Sequence, residues 1–188
     1  MIEGLNFSHM TAQMHADEYA EDLEFFLAQY PDDLVQGLKV DHLAYKGWNR
    51  EWYQAFLASV SQKATDVSNP YRLDDRDLVT VTLKDPLDLG RFGKTSTLEV
   101  MEVRPEKARH GATVPSKITL DHIELTGVPL AEMQRRMAYY RVEHTPYANP
   151  HHSALVVPFG SLPGRELKIT DQILADITQV QADNVSSA

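Results

Sequence analysis

Val40-Asp41-His42-Leu43 returns as Leu120-Asp121-His122-Ile123, at an interval of 122 − 42 = 80 residues. Each copy sets an Asp-His pair between aliphatic residues. Each is followed by a glycine, Gly47 or Gly127, and then by a stretch of helical periodicity. One Asp-His pair carries no weight, but two in the same frame, each at the head of a similar module, mark an internal repeat. That repeat decides the fold.

Beyond the first copy, which sits in a strand over Leu38–Lys46, Asn49 is a good cap for a helix over Arg50–Lys63. Trp52, Phe56, Leu57 and Val60 share one face of that helix. Leu78–Leu83 and Thr97–Val103 alternate as strands. Arg104–Lys117, with Pro105, Gly111 and Pro115, reads as a linker. The second copy lies in a strand over Ile118–Thr126. Pro129 then opens a helix through Tyr140, with Leu130, Met133 and Met137 inside. His152–Phe159 and Glu166–Thr170 read as strands, with a Leu162-Pro163-Gly164 turn before the second. Thr170 or Asp171 caps a last helix carrying Ile173, Leu174, Ile177 and Val180. Ahead of the first copy, Met1–Met10 reads as a loose leader. A helix over Thr11–Gln29 follows, with Met14, Tyr19, Leu23, Phe26 and Leu27 at helical spacing, and ends before Pro31.

The expected fold is α+β: two tandem βαβββ modules forming a curved mixed sheet around a cavity, with an extra N-terminal helix and a C-terminal helix. The expected division is 1–37 for leader and helix, 38–103 for the first module, 104–117 for the linker, 118–182 for the second module with its closing helix, and 183–188 for a frayed tail.

Composition narrows the function. Apolar residues make up 43% of the 188 positions, enough for a core. The net charge is 18 − 27 = −9, which disfavours binding to nucleic acid or to an anionic membrane, since both require cationic surface. There is no cysteine, so disulfides, thiolate zinc sites and cysteine nucleophiles are excluded. No apolar run is long enough to span a bilayer, and with no signal pattern the cytoplasm is the expected compartment. Monomer and homodimer are equally compatible with the sequence. Phosphate loops, nucleophile elbows and His-Glu-x-x-His helices are absent from the sequence.

Strand alternation then places the chemistry. Leu43 and Tyr45 share one face of the first strand, with Val40, His42 and Ala44 opposite. Ile123 and Leu125 share one face of the second, with Leu120, His122 and Glu124 opposite. The apolar faces pack on the helices, so both histidines point to the concave side. Glu99 and Glu102 lie on opposite faces of their strand, and only one can join them. Glu166 and Lys168 face the cavity from the last strand. Two imidazoles and a carboxylate with open positions suit one divalent metal, iron(II), manganese, nickel or zinc. His151 and His152 alternate, so a loop at the cavity mouth is expected to carry them.

With Val40-Asp41-His42-Leu43, Met101-Glu102-Val103-Arg104-Pro105 and Leu120-Asp121-His122-Ile123-Glu124-Leu125, the chain resembles the vicinal oxygen chelate superfamily of glyoxalases, extradiol dioxygenases, epimerases and metal-free antibiotic-binding proteins. Within it, the bacterial YecM-like family is the nearest resemblance. The resemblance implies metal ligands at His42, Glu102 and His122. The fourth position, a carboxylate in the superfamily, here falls on Lys168, with Glu166 one pleat away. Either Glu166 takes that role, or three protein ligands suffice, or no metal binds. The implied function is a metal-dependent isomerase, lyase or dioxygenase acting on a small oxygen-rich substrate. Glu166 and Lys168 are the catalytic candidates, and Glu166 or Glu102 would shuttle a proton if not committed to the metal. A metal-free small-molecule binding protein and an interaction module docking through the N-terminal helix are the rivals.

Overall fold

The Asn49 side chain accepts a hydrogen bond from the Trp52 N–H at 2.9 Å. This starts the helix that follows the first Asp-His strand, as a capping side chain should. In the computed structural model, residues 9–47, 49–73, 76–102, 118–149, 152–159 and 166–174 are described. The elements run α1 (His9–Leu27), β1 (Lys39–Gly47), α2 (Arg50–Ser61), β2 (Ala64–Val67), β3 (Tyr71–Leu73), β4 (Arg76–Asp88), β5 (Lys94–Glu102), β6 (Ile118–Thr126), α3 (Leu130–Tyr140), β7 (Thr145–Asn149), β8 (His152–Pro158) and β9 (Glu166–Thr170).

The strands form one mixed sheet in the order β2-β4-β5-β1-β6-β9-β8-β7, with β3 paired to β4 off that path. The order contains the repeat. In the first module β1 runs parallel to β5, β5 antiparallel to β4, and β4 antiparallel to β2. In the second, β6 runs parallel to β9, β9 antiparallel to β8, and β8 antiparallel to β7. The two Asp-His strands join the modules as an antiparallel pair. The α+β reading with two βαβββ modules therefore holds. β3 is an addition to the first module. The edge strands β2 and β7 carried little signal in sequence. Asp66 and Val67 of β2 are both exposed, so it has no alternation to read, and β7 contains Pro146, which suits only an edge. The linker over 104–117 and the closing helix beyond Leu174 lie outside the described residues.

All three described helices cover one side of the sheet. Tyr53, Phe56 and Val60 of α2, Met133 and Met137 of α3, and Ala12, Ala16, Tyr19, Leu23 and Leu27 of α1 share one core with Leu43, Tyr45, Leu98, Val100, Ile123 and Leu125. Each large aliphatic or aromatic residue buried there contributes about 1.5–3 kcal/mol. Met14, expected in that face of α1, is instead 55% exposed, and Ala12 and Ala16 make the contact. On the opposite side lie His42, His122, Glu99 and Glu124, with a small apolar cluster of Ala44, Leu78 and Met101.

Two register shifts interrupt the β1–β6 pairing. Val40 faces Leu125 and His42 faces Glu124, which leaves Asp41 as the extra residue on β1. Ala44 faces His122 and Tyr45 faces Leu120, which leaves Asp121 as the extra residue on β6. Each extra residue resets the alternation. Val40 and Leu120, expected on the histidine face, pack instead with the helix-side core.

Candidate metal centre

The two bulged aspartates reach the histidines that follow them. Asp41 Oδ2 lies 2.8 Å from His42 Nδ1, and Asp121 Oδ2 lies 3.0 Å from His122 Nδ1. A carboxylate on Nδ1 fixes the imidazole tautomer and leaves Nε2 to face inward, as behind metal-bound histidines. The rings stand edge to face with centroids 5.9 Å apart, and each residue is 2% exposed. The repeat thus brings His42 and His122 into one site, as alternation predicted.

The aspartates are themselves held. Asp121 pairs with the Lys46 ammonium, its backbone carbonyl lies 3.2 Å from the Tyr19 hydroxyl, and Asp41 Oδ2 accepts the Leu174 N–H at 3.0 Å. Burial works against ionisation of Asp121. The hydrogen bond from His122, with the His122 and Lys46 charges, outweighs it and holds the carboxyl well below the usual range.

The carboxylate from β5 is Glu99, a correction to the expected Glu102. The β1–β5 register sets Glu99 opposite Ala44, and Glu99, His42 and His122 place ligand atoms within 4.8 Å of one another. Glu102 falls on the other face, in step with the buried Leu98 and Val100, and meets Arg50 of α2 at 3.4 Å. The signal for Glu99 lay in the repeat. Leu98-Glu99-Val100 and Leu167-Lys168-Ile169 are the same frame on equivalent strands, so Glu99 is the counterpart of Lys168. Tyr71 donates to Glu99 Oε1 at 3.4 Å. Burial, then the Glu99 charge, push its phenol up, so it remains a donor.

Glu124 is the residue sequence reasoning passed over, although alternation had placed it on the histidine face. It is 3% exposed. Its Oε2 lies 3.9 Å from His42 Nε2 and 3.8 Å from His122 Nε2, and its Oε1 lies 3.9 Å from His152 Nε2. His152 is buried at the head of β8 rather than in a loop, and His151 lies outside the described residues. Glu166 stands opposite His122 across β6–β9. Its backbone N–H and carbonyl are both bound by the Tyr19 hydroxyl, at 2.9 and 2.6 Å, and it is not among the groups that converge on the histidines. Lys168 stands opposite Glu124, half-buried, with its ammonium 5.9 Å from the Tyr147 ring centroid.

These groups polarise the histidines in opposite directions. Burial alone would lower His42, but the Glu124 charge, the Asp41 hydrogen bond and Glu99 lift it to about 9. Burial, then the Lys168 charge, lower His122 to about 3 and His152 to about 4. Burial raises the Glu124 carboxyl. Ligand atoms about 2.1 Å from one ion lie about 3.0–4.2 Å apart. The 3.8–3.9 Å separations are too long for hydrogen bonds and lie in that range. With Glu124 Oε1 lacking any hydrogen-bond partner, the donor set fits a divalent cation.

No family model matches the chain, and no curated protein does. Solved structures do. A structural-genomics structure titled Protein EC4020 superposes with a TM-score of 0.63 at 13% identity, covering 90% of this chain and 92% of that one. Methylmalonyl-CoA epimerase from Streptomyces coelicolor, in complex with 2-nitronate-propionyl-CoA, is similar at a TM-score of 0.45 and 11% identity, over 71% of this chain and 98% of that one. A mutant 4-hydroxymandelate synthase from the same organism is similar at 0.37 and 8%, over 78% and 54%. The last two are members of the vicinal oxygen chelate superfamily. At these identities the likeness is one of fold: a mixed α+β chain with an open mixed sheet, matched over nearly its whole length by the first of these structures.

Proposed function

We propose that this chain is a cytoplasmic divalent-metal-dependent enzyme of the vicinal oxygen chelate type, nearest to the YecM-like family. Its substrate would be a small oxygen-rich molecule and its reaction an isomerisation, lyase cleavage or ring oxidation. The observation that carries the reading is the convergence of two Asp-held histidines, one from each module, on buried carboxylates.

His42, His122 and Glu99 would hold the ion. Bound there, it would polarise two adjacent substrate oxygens as a Lewis acid. Asp41 and Asp121 keep each Nδ1 protonated and each Nε2 turned inward. Lys168, half-exposed on the same face, would meet negative charge on the substrate. Glu166 would take and return a proton at the substrate carbon. Glu102, on the opposite face, has no part in this.

Calorimetric titration with manganese(II), iron(II), nickel(II) and zinc(II), under reducing conditions at neutral pH, tests the reading. We expect one saturable site per chain for at least one metal, and its loss in a folded His122→Ala variant. If none of the four binds, the enzyme reading falls and the same site is left to a metal-free small-molecule binding protein.

A further inference from the structure

The repeat does more than double the histidine. It also lines up two cross-strand pairs beside the site. In the first module Ala44 faces Glu99 across β1–β5, and in the second Glu124 faces Lys168 across β6–β9. Ala44 and Glu124 are repeat partners, at an interval of 124 − 44 = 80, the same as that of the histidines. The first module therefore carries a small residue on its Asp-His strand and a carboxylate on its last strand. The second carries the carboxylate on the Asp-His strand and a lysine on the last.

Neighbouring strands lie about 4.7–4.9 Å apart, so a side chain at either of two opposed positions can address the same space. A charged lysine cannot ligate. We infer that Glu124 is the fourth protein ligand of the metal centre, the carboxylate having crossed from the Lys168 position to the neighbouring strand. This inference rests on the metal reading above.

Three observations carry it. Glu124 Oε2 is nearly equidistant from the two inward nitrogens, at 3.9 Å from His42 and 3.8 Å from His122. The residue is 3% exposed, and its Oε1 has no hydrogen-bond partner. Burying a carboxylate oxygen without one is costly, and a cation supplies the compensation that the three histidines, at 3.8–3.9 Å, do not make by hydrogen bonding. Glu166, the alternative donor, is the counterpart of Thr97, because His122 faces Glu166 as His42 precedes the Leu43–Leu98 and Ala44–Glu99 pairs. It lies one pleat from the ligand position, with its backbone tied to Tyr19.

Manganese(II) alone serves as the probe, by calorimetry and by the loss of its free-ion paramagnetic resonance signal on binding. Glu124→Gln should weaken binding by more than the about 10–100-fold that loss of an outer-shell partner costs, with the circular dichroism spectrum retained. The double variant Glu124→Ala/Lys168→Glu, which returns the carboxylate to the last strand, should recover affinity to within about tenfold of wild type. A structural role for Glu124 would give no such rescue. Wild-type affinity in folded Glu124→Gln overturns the inference while leaving the metal reading intact, whereas a wild type that binds no metal removes the metal reading itself. Should Glu124→Gln not fold, the double variant decides alone: restored binding supports the assignment, and a folded double variant without binding overturns it.

Discussion

At the scale of single residues, the site is organised by asymmetry within a repeat. His42 and His122 each follow an aspartate in an aliphatic frame, yet their surroundings push them in opposite directions. His42 sits among Asp41, Glu124 and Glu99, which outweigh its burial and lift it to about 9. His122 feels burial and Lys168, which lower it to about 3. In the metal-free protein at neutral pH, His42 carries a proton and His122 does not. The sign follows from linkage. The raised His42 contributes stability below about pH 6.5, lost as pH climbs through about 9. The lowered His122 contributes stability above about pH 6.5, lost as pH falls toward about 3. Chelator-treated protein should therefore lose thermal stability on the alkaline side between these values, and His42→Gln should flatten that limb. Proton NMR should place the His42 midpoint near 9; a midpoint near 6.5 would contradict the charge environment described.

At the scale of elements, the glycines after the two Asp-His strands answer different demands. A Cβ on Gly47 would lie 2.6 Å from the Tyr53 Cα, so α2 can dock on β1 only over a glycine. Gly127 has φ +104° and approaches the Gly37 carbonyl, which a Cβ would meet at 2.7 Å. Gly47→Ala should cost about 1–3 kcal/mol, the usual range for overpacking against backbone that must shift, read from the urea midpoint. Helix α1 has its own tie to the site. Tyr19 is buried, and its hydroxyl donates to the Glu166 carbonyl and accepts the Glu166 N–H, across from the Asp121 bulge. Tyr19→Phe should destabilise by about 1–3 kcal/mol, because a buried backbone donor is left unpaired. A cost near zero by chemical denaturation would mean that other groups satisfy that backbone.

At the scale of the whole molecule, the β1–β6 pair makes one object of two modules. Leu43 faces Ile123 across it, and both belong to a single core that reaches α1, α2 and α3. Neither module can open its inner strand without exposing the other's apolar face. Unfolding should follow one cooperative transition, coincident by near- and far-ultraviolet circular dichroism. Two separated transitions would show that the modules are independent. The site lies on the seam, so an ion held there, as proposed, would raise the midpoint of that single transition.

Some of this was legible in the chain alone. The Asp-His repeat, the period-two alternation around it and the Asn49 cap are local, and they were enough for two modules and a shared histidine face. Alternation failed where it depended on partners. The bulges at Asp41 and Asp121 exist only in the pairing of β1 with β6, and they moved Val40 and Leu120 to the core while turning each aspartate onto its histidine. The choice of Glu99 over Glu102 was set by which face of β5 the helices cover. That is a property of packing, and a motif match across a strand end cannot report it. Glu124 was visible on the correct face, but its standing among three histidines comes from strands that are distant in sequence. Tertiary structure decided it because convergence on a point in space leaves no trace in local periodicity.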